Sequence, residues 1–213
     1  MAETIEVLYY VDASADAVTR RAAQYFVDGI RAAAGARGKA RIAISGGHTP
    51  KNAFALLADP SAQYREQIPW ENLELYWVDE RCVPPDHPDS NYRMTREALL
   101  DQVPLGKTQI FRIQGELDPE EAAARYEFDI RQSFRLEGAE IPTFDMVALG
   151  MGPDGHTASL SPTRRVCTKS CALRSPITCR NKRKRGGSRS PGRSSTGDGM
   201  SSFSSKVSTK LRR

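Results

Sequence analysis

Short apolar runs alternate with helix-period stretches along the first 160 residues, and that alternation restricts the fold more than any other feature. Ile5–Tyr10, Arg41–Ile44, Leu73–Val78, Thr108–Ile113 and Phe144–Leu149 read as strands. After the first of them, Asp12 or Ser14 can cap a helix with Val18, Ala22, Phe26, Ile30 and Ala34 in one apolar stripe, closed by Gly35. Thr49 as N-cap and Pro50 as first helical residue start a second helix. A third opens at Ser90-Asn91-Tyr92 and runs through Leu100. The fourth starts at Asp118-Pro119-Glu120-Glu121 and buries Ala123, Tyr126, Ile130 and Phe134. The expectation is an α/β fold: a doubly wound, largely parallel sheet with Rossmann-like layers.

Chemistry concentrates in the loops that follow strands, where the ligand crevices of open α/β sheets form. After Leu149, the glycines Gly150, Gly152 and Gly155 break the chain around Asp154 and His156. A lone histidine in such a break also serves a plain turn, but two further loops of similar design favour a chemical role. Ser45-Gly46-Gly47-His48-Thr49-Pro50 joins a strand to a helix N-terminus, where backbone N–H groups and the helix dipole favour an anion. It is equally the tight turn such a junction needs. It lacks the Gly-Lys-Ser/Thr ending of a nucleotide loop, which points to a sugar phosphate rather than ATP. Asp79-Glu80-Arg81 follows the third strand; Arg81 offers a planar fork for phosphate and Asp79 an acceptor for a hydroxyl or water. A surface ion pair is the commoner fate of such charges.

Gly150-x-Gly152-x-x-Gly155 also matches the dinucleotide fingerprint, but Pro153 stiffens the loop and no acid lies between Asp154 and Asp198. A bound NAD is therefore not expected.

Charge divides the chain. Residues 161–213 hold 15 of the 31 Lys and Arg but only Asp198 of the 26 acids, a balance of +14. The preceding 160 residues carry 16 basic and 25 acidic groups, a balance of −9. The sequence pI of 9.1 belongs to the tail, so an inference to nucleic acid extends to the tail alone. The start, Met1-Ala2-Glu3-Thr4-Ile5-Glu6, lacks the pattern of a secretory signal, and no apolar run approaches a membrane span. With Cys82 the one cysteine of the body, a cytoplasmic location is expected.

Three motifs in order carry a resemblance: Ser45-Gly46-Gly47-x-Thr49-Pro50; Asp79-Glu80-Arg81-x-Val83-Pro84 with Ser90-Asn91-Tyr92; and Gly150-Met151-Gly152-x-Asp154-Gly155-His156-Thr157-Ala158-Ser159-Leu160. Together they resemble the 6-phosphogluconolactonase branch of the glucosamine-6-phosphate isomerase/6-phosphogluconolactonase family. The resemblance implies hydrolysis of 6-phospho-D-glucono-1,5-lactone to 6-phosphogluconate, with neither metal nor other cofactor. On that pattern His156 is the general base, and Asp79 and Asp154 orient base, water or sugar. Ser45, Gly46, Gly47 and Arg81 hold the phosphate, with Thr49, Asn91, Gly152 and Gly155 completing the substrate contacts. The deaminase branch is the competitor. It has Asp-Glu-Tyr where this chain has Asp79-Glu80-Arg81, and a carboxylate five residues past its histidine, where this chain has Ser161.

The resemblance fades at Ser161-Pro162, which predicts a lactonase-like domain over 1–162, incomplete at its C-terminal end, and a disordered Ser/Arg/Lys-rich tail over 163–213. The strand at Phe144–Leu149 is then expected to lack a neighbour on one side. Three readings of the tail compete, and the abrupt loss of the family pattern in mid-motif favours the first. It is a frameshifted end, or a weak nucleic-acid arm built on Lys182-Arg183-Lys184-Arg185, or a metal knuckle of Cys167, Cys171 and Cys179. The knuckle lacks a Cys-x2-Cys pair and a fourth ligand.

Overall fold

The computed structural model describes residues 7–153, 155–160 and 204–206. Its elements in chain order are helix α1 (Ala15–Arg37), strand β1 (Ala40–Ile44), helix α2 (His48–Ala58) and strand β2 (Leu73–Trp77). Then follow helix α3 (Asn91–Ala98), strand β3 (Ile110–Phe111), helix α4 (Pro119–Phe134), strand β4 (Met146–Leu149) and strand β5 (Ser204–Lys206). The sheet order is β3-β2-β1-β4-β5, parallel throughout except for β5.

Both faces of the sheet are covered, as the doubly wound expectation requires. Ile42, Ile44, Leu73 and Leu75 meet Phe26 and Ile30 of α1 and Phe54 and Leu57 of α2. On the other face Tyr76 stacks on Phe111 at 4.6 Å between ring centroids and packs against Phe134 of α4 and Phe144. All of β2 is buried, the pattern of a parallel strand sandwiched between helices.

Several local expectations are corrected, each for a physical reason. Val7–Tyr10 forms no strand; these side chains are exposed and no described strand lies beside them, so β propensity finds no ladder to join. Helix α1 runs through Gly35 and stops at Gly38, whose φ of 72° gives the left-handed C-cap. Ser14 is its N-cap, and Asp12 instead takes two hydrogen bonds from Arg21. Helix α2 has Gly47 (φ 126°) at its N-cap position, two residues before the expected Thr49. Helix α3 ends at Ala98 and gives way to a 3₁₀ turn at Leu100–Gln102. On α4 the buried alanine is Ala122, with Ala123 half-buried. Strand β4 starts only at Met146, because the Asp145 carboxylate accepts the Arg41 N–H at 2.7 Å and so replaces a ladder bond.

The predicted bare edge of β4 is also corrected. Strand β5 pairs antiparallel with it, Val147 opposite Lys206 and Leu149 opposite Ser204. The rest of the tail, with its disorder, nucleic-acid and cysteine-knuckle readings, lies outside the described residues.

Candidate active site

Because β2 and β3 lie on one side of β1 and β4 on the other, the chain reverses its direction of growth at β1. The loops leaving β1 and β4 therefore flank a topological switch point at the carboxyl edge. The two loops are joined there. The Ser45 N–H donates to Ala148 O at 3.1 Å, and the Gly150 N–H donates to the Ser45 hydroxyl at 3.2 Å. Ser45 is buried, and its side chain is committed to holding the β4 loop.

Gly47 leads into the first turn of α2. No side chain caps α2, and Pro50 at its third position has no N–H, so the His48 and Thr49 amides head the helix without a capping side chain. Gly46 has a different reason to be glycine: a Cβ there would fall on the Asn91 side-chain amide.

Asn91 leads to the next loop. Its Nδ2 donates to Asp79 O at 2.9 Å and to Asp79 Oδ1 at 3.3 Å. Asp79 is buried, so neither it nor Glu80 forms a surface ion pair. Glu80 instead caps α3. Its Oε1 accepts the Arg81 and Asn91 N–H groups, both at 2.7 Å; its Oε2 accepts the Tyr92 N–H at 2.9 Å and the Ser90 hydroxyl at 3.0 Å. Four donors on one buried carboxylate fix the strand-to-helix connection from which Asn91 reaches Asp79. The Arg81 side chain is half-buried and, among the described residues, engages no carboxylate. Below the loop, the Tyr126 hydroxyl donates to Trp77 O and accepts from the Trp77 N–H. Burial pushes that phenol far above its usual range, so it remains a donor.

The β4 loop is a small hairpin. The Gly152 N–H donates to His156 O at 2.8 Å, the Gly155 N–H to Gly152 O at 2.9 Å, and Met151 bridges Thr157. Gly155 sits at φ 76°, which a glycine adopts without penalty. His156 folds back on Gly152, where a Cβ would collide with the imidazole. The Thr157 hydroxyl donates to Gly150 O at 3.0 Å, and the Ser159 hydroxyl to Asp79 Oδ2 at 2.8 Å. Asp154 lies outside the described residues.

The structure thus brings Ser45, Gly46, Asn91, Asp79, Gly152 and His156 into one connected frame. Thr49 lies on the first turn of α2, half-buried. Two members escaped the sequence reading. Glu80 lay inside a motif whose charge suggested ligand contact, and Ser159 is an ordinary serine whose partner is 80 residues away. Only the buried capping pattern Ser90-Asn91-Tyr92 hinted at the first; nothing in the sequence signalled the second. Among the described residues no helix is long and apolar enough to cross a membrane, and no His, Cys, Asp and Glu side chains gather into a metal-holding group.

Fold and site together define a doubly wound α/β protein with polar side chains and glycine loops gathered at the carboxyl edge of its parallel strands. The family described as glucosamine-6-phosphate isomerases/6-phosphogluconolactonase matches residues 13–189, past Pro162, and the chain belongs to that family. A 6-phosphogluconolactonase of Synechocystis sp. is 46% identical over 127 residues, 59% of this chain and 50% of that protein. A second, from Nostoc sp., is 37% identical over 163 residues, 76% of this chain and 64% of that protein. Among solved structures, the 6-phosphogluconolactonase from Trypanosoma brucei superposes with a TM-score of 0.65 at 29% identity, over 76% of this chain and 66% of that one. The chain spans about half the length of the first curated relatives it matches.

Proposed function

We propose that this chain carries the site that hydrolyses 6-phospho-D-glucono-1,5-lactone to 6-phosphogluconate, a step of the oxidative pentose phosphate route, in the cytoplasm. The observation that carries the reading is the joining of the His156 hairpin to buried Asp79 across the β1/β4 switch point. The names of the relatives support the substrate.

In this reading His156 removes a proton from water as the oxygen attacks C1. The tetrahedral oxyanion takes hydrogen bonds from N–H groups of the glycine hairpin. The ring C–O bond then breaks and the imidazolium returns its proton to the departing oxygen, which leaves the carboxylic acid; its proton passes to solvent to give the carboxylate product. Asp79 orients sugar or water, and Asp154 orients the base. The phosphate rests on Gly47 and the uncapped first turn of α2, with Arg81 as its counter-ion. Ser45 and Gly46 hold that cradle against the β4 loop and Asn91, and Gly152, Gly155 and Thr49 shape its walls.

The test is lactone generated enzymically in the assay, with hydrolysis corrected for the spontaneous rate. A rate above background is expected, and His156→Ala should lower it by about 10²–10⁴-fold, the usual worth of a general base. A His156→Ala chain as active as its parent removes His156 from the chemistry. Turnover of glucosamine 6-phosphate instead of the lactone would establish the deaminase reading.

A further inference from the structure

The hairpin that carries His156 is soft by composition. Gly150, Gly152 and Gly155 give it little backbone stiffness, and the Ser45 and Thr157 hydroxyls tie its base at Gly150. Its far arm closes in a tight turn, with the Thr157 N–H donating to Leu160 O at 3.1 Å and the Leu160 N–H to Thr157 O at 2.9 Å. In that turn Ala158 sits at φ 50°, the left-handed region that disfavours a side chain. Such a conformation persists only where the surroundings impose it. The residue after it supplies a constraint: the Ser159 hydroxyl reaches Asp79 in the loop after β2, a strand that is not a neighbour of β4.

Asp79 is itself well held. It is 4% exposed, Asn91 donates to its backbone oxygen and Oδ1, and Ser159 donates to its Oδ2. A hydroxyl-to-carboxylate bond in a buried setting is among the stronger neutral-donor bonds.

From this geometry we propose that Ser159 is a positioning residue, a latch that fixes the His156 hairpin to Asp79 and sets the aim of the imidazole at the crevice. It deepens the lactonase reading, on which its kinetic arm rests. Ser159 acts at the reacting end; the phosphate end is built from Gly47, α2 and Arg81. Loss of the latch therefore lowers kcat and spares KM.

The experiment compares the 213-residue chain with Ser159→Ala and Ser159→Thr by amide hydrogen exchange and by steady-state lactone hydrolysis. Ser159→Ala is expected to speed exchange at Thr157 and Leu160 about tenfold while Ile42, Leu75 and the other β1 and β2 amides are unchanged. Its kcat falls by roughly 10–100-fold, on the scale of a base displaced by less than about 1 Å, with KM within about twofold. Ser159→Thr keeps the hydroxyl and restores both readouts. Unchanged exchange in Ser159→Ala overturns the latch. A uniform rise in exchange across the sheet, with kcat per folded molecule intact, also overturns it, because Ser159 then serves only stability. If no chain turns over the lactone, the lactonase reading fails by itself, and local exchange still decides whether the latch exists.

Discussion

At the scale of single residues the site depends on side chains that are absent as much as on those present. Gly152 has no Cβ because the imidazole of His156 occupies that space, and Gly46 has none because Asn91 does. Gly152→Ala is therefore expected to push His156 out of line and cost about 10²-fold in kcat, the scale of a misplaced catalytic group. The thermal midpoint should move little, since Gly152 is only half-buried and lies in a loop outside the core. A variant with parental kcat would show that the imidazole tolerates displacement. The sequence displayed these glycines but not their separate reasons. Gly155 answers to a positive φ, Gly46 and Gly152 to close approach, and the two kinds look alike in a string. Ser45 reads the same way: its place in a glycine loop suggested ligand contact, while its hydroxyl accepts from Gly150.

At the scale of elements, starts set by adjacent residues are legible in part: Asp118-Pro119 marks the start of α4, whereas Gly35 does not end α1 and Thr49 does not cap α2. Asp118 and Pro119 placed the start of α4 because cap and first turn are set by adjacent residues. Thr108–Ile113 shrank to Ile110–Phe111 because β3 is an edge strand paired only with β2. Glu74 is a carboxylate inside fully buried β2, and its apolar neighbours in the sequence give no sign of its partners. Burial opposes its ionisation, but hydrogen bonds from Lys39 and Arg41 outweigh this and hold the carboxyl below its usual 4.5. The sign follows: this stabilisation is fully present above pH 4.5 and is lost as falling pH protonates the group. Glu74→Gln is expected to lower the thermal midpoint at neutral pH and to flatten its decline below pH 4.5. Parallel midpoint-against-pH curves for both chains would assign the acid limb to other carboxylates.

At the scale of the whole molecule, the chain buries one core and leaves a second apolar surface open. Val7, Leu8, Tyr9, Tyr10 and Val11 are consecutive and all more than half exposed, and Ile141 is 67% exposed. The arm they form is not loose. Arg21 donates twice to Asp12 at 2.7 Å and lies 4.9 Å from the Tyr10 ring centroid, and Tyr10 packs edge-on against Tyr25. Tyr10 and Asp12 are thus anchored, while Val7, Leu8, Tyr9 and Val11 beside them stay exposed. Burying each contributes about 1.5–3 kcal/mol, against a net domain stability of about 5–15 kcal/mol. The first curated relatives are about twice as long as their matched portions, so they possess chain that this one does not align to. A chimera that continues from Leu160 with the remaining segment of the Synechocystis relative is therefore expected to cover this arm. It should raise the thermal midpoint by several degrees and quench the binding of a hydrophobic dye to residues 7–11. The control is the same chimera with Val7, Leu8 and Tyr9 changed to serine, in which the gain should largely vanish. Equal midpoints for the 213-residue chain and the chimera would show that the exposed arm contributes nothing to folding and that the core between α1, α2, α4 and the sheet is sufficient alone.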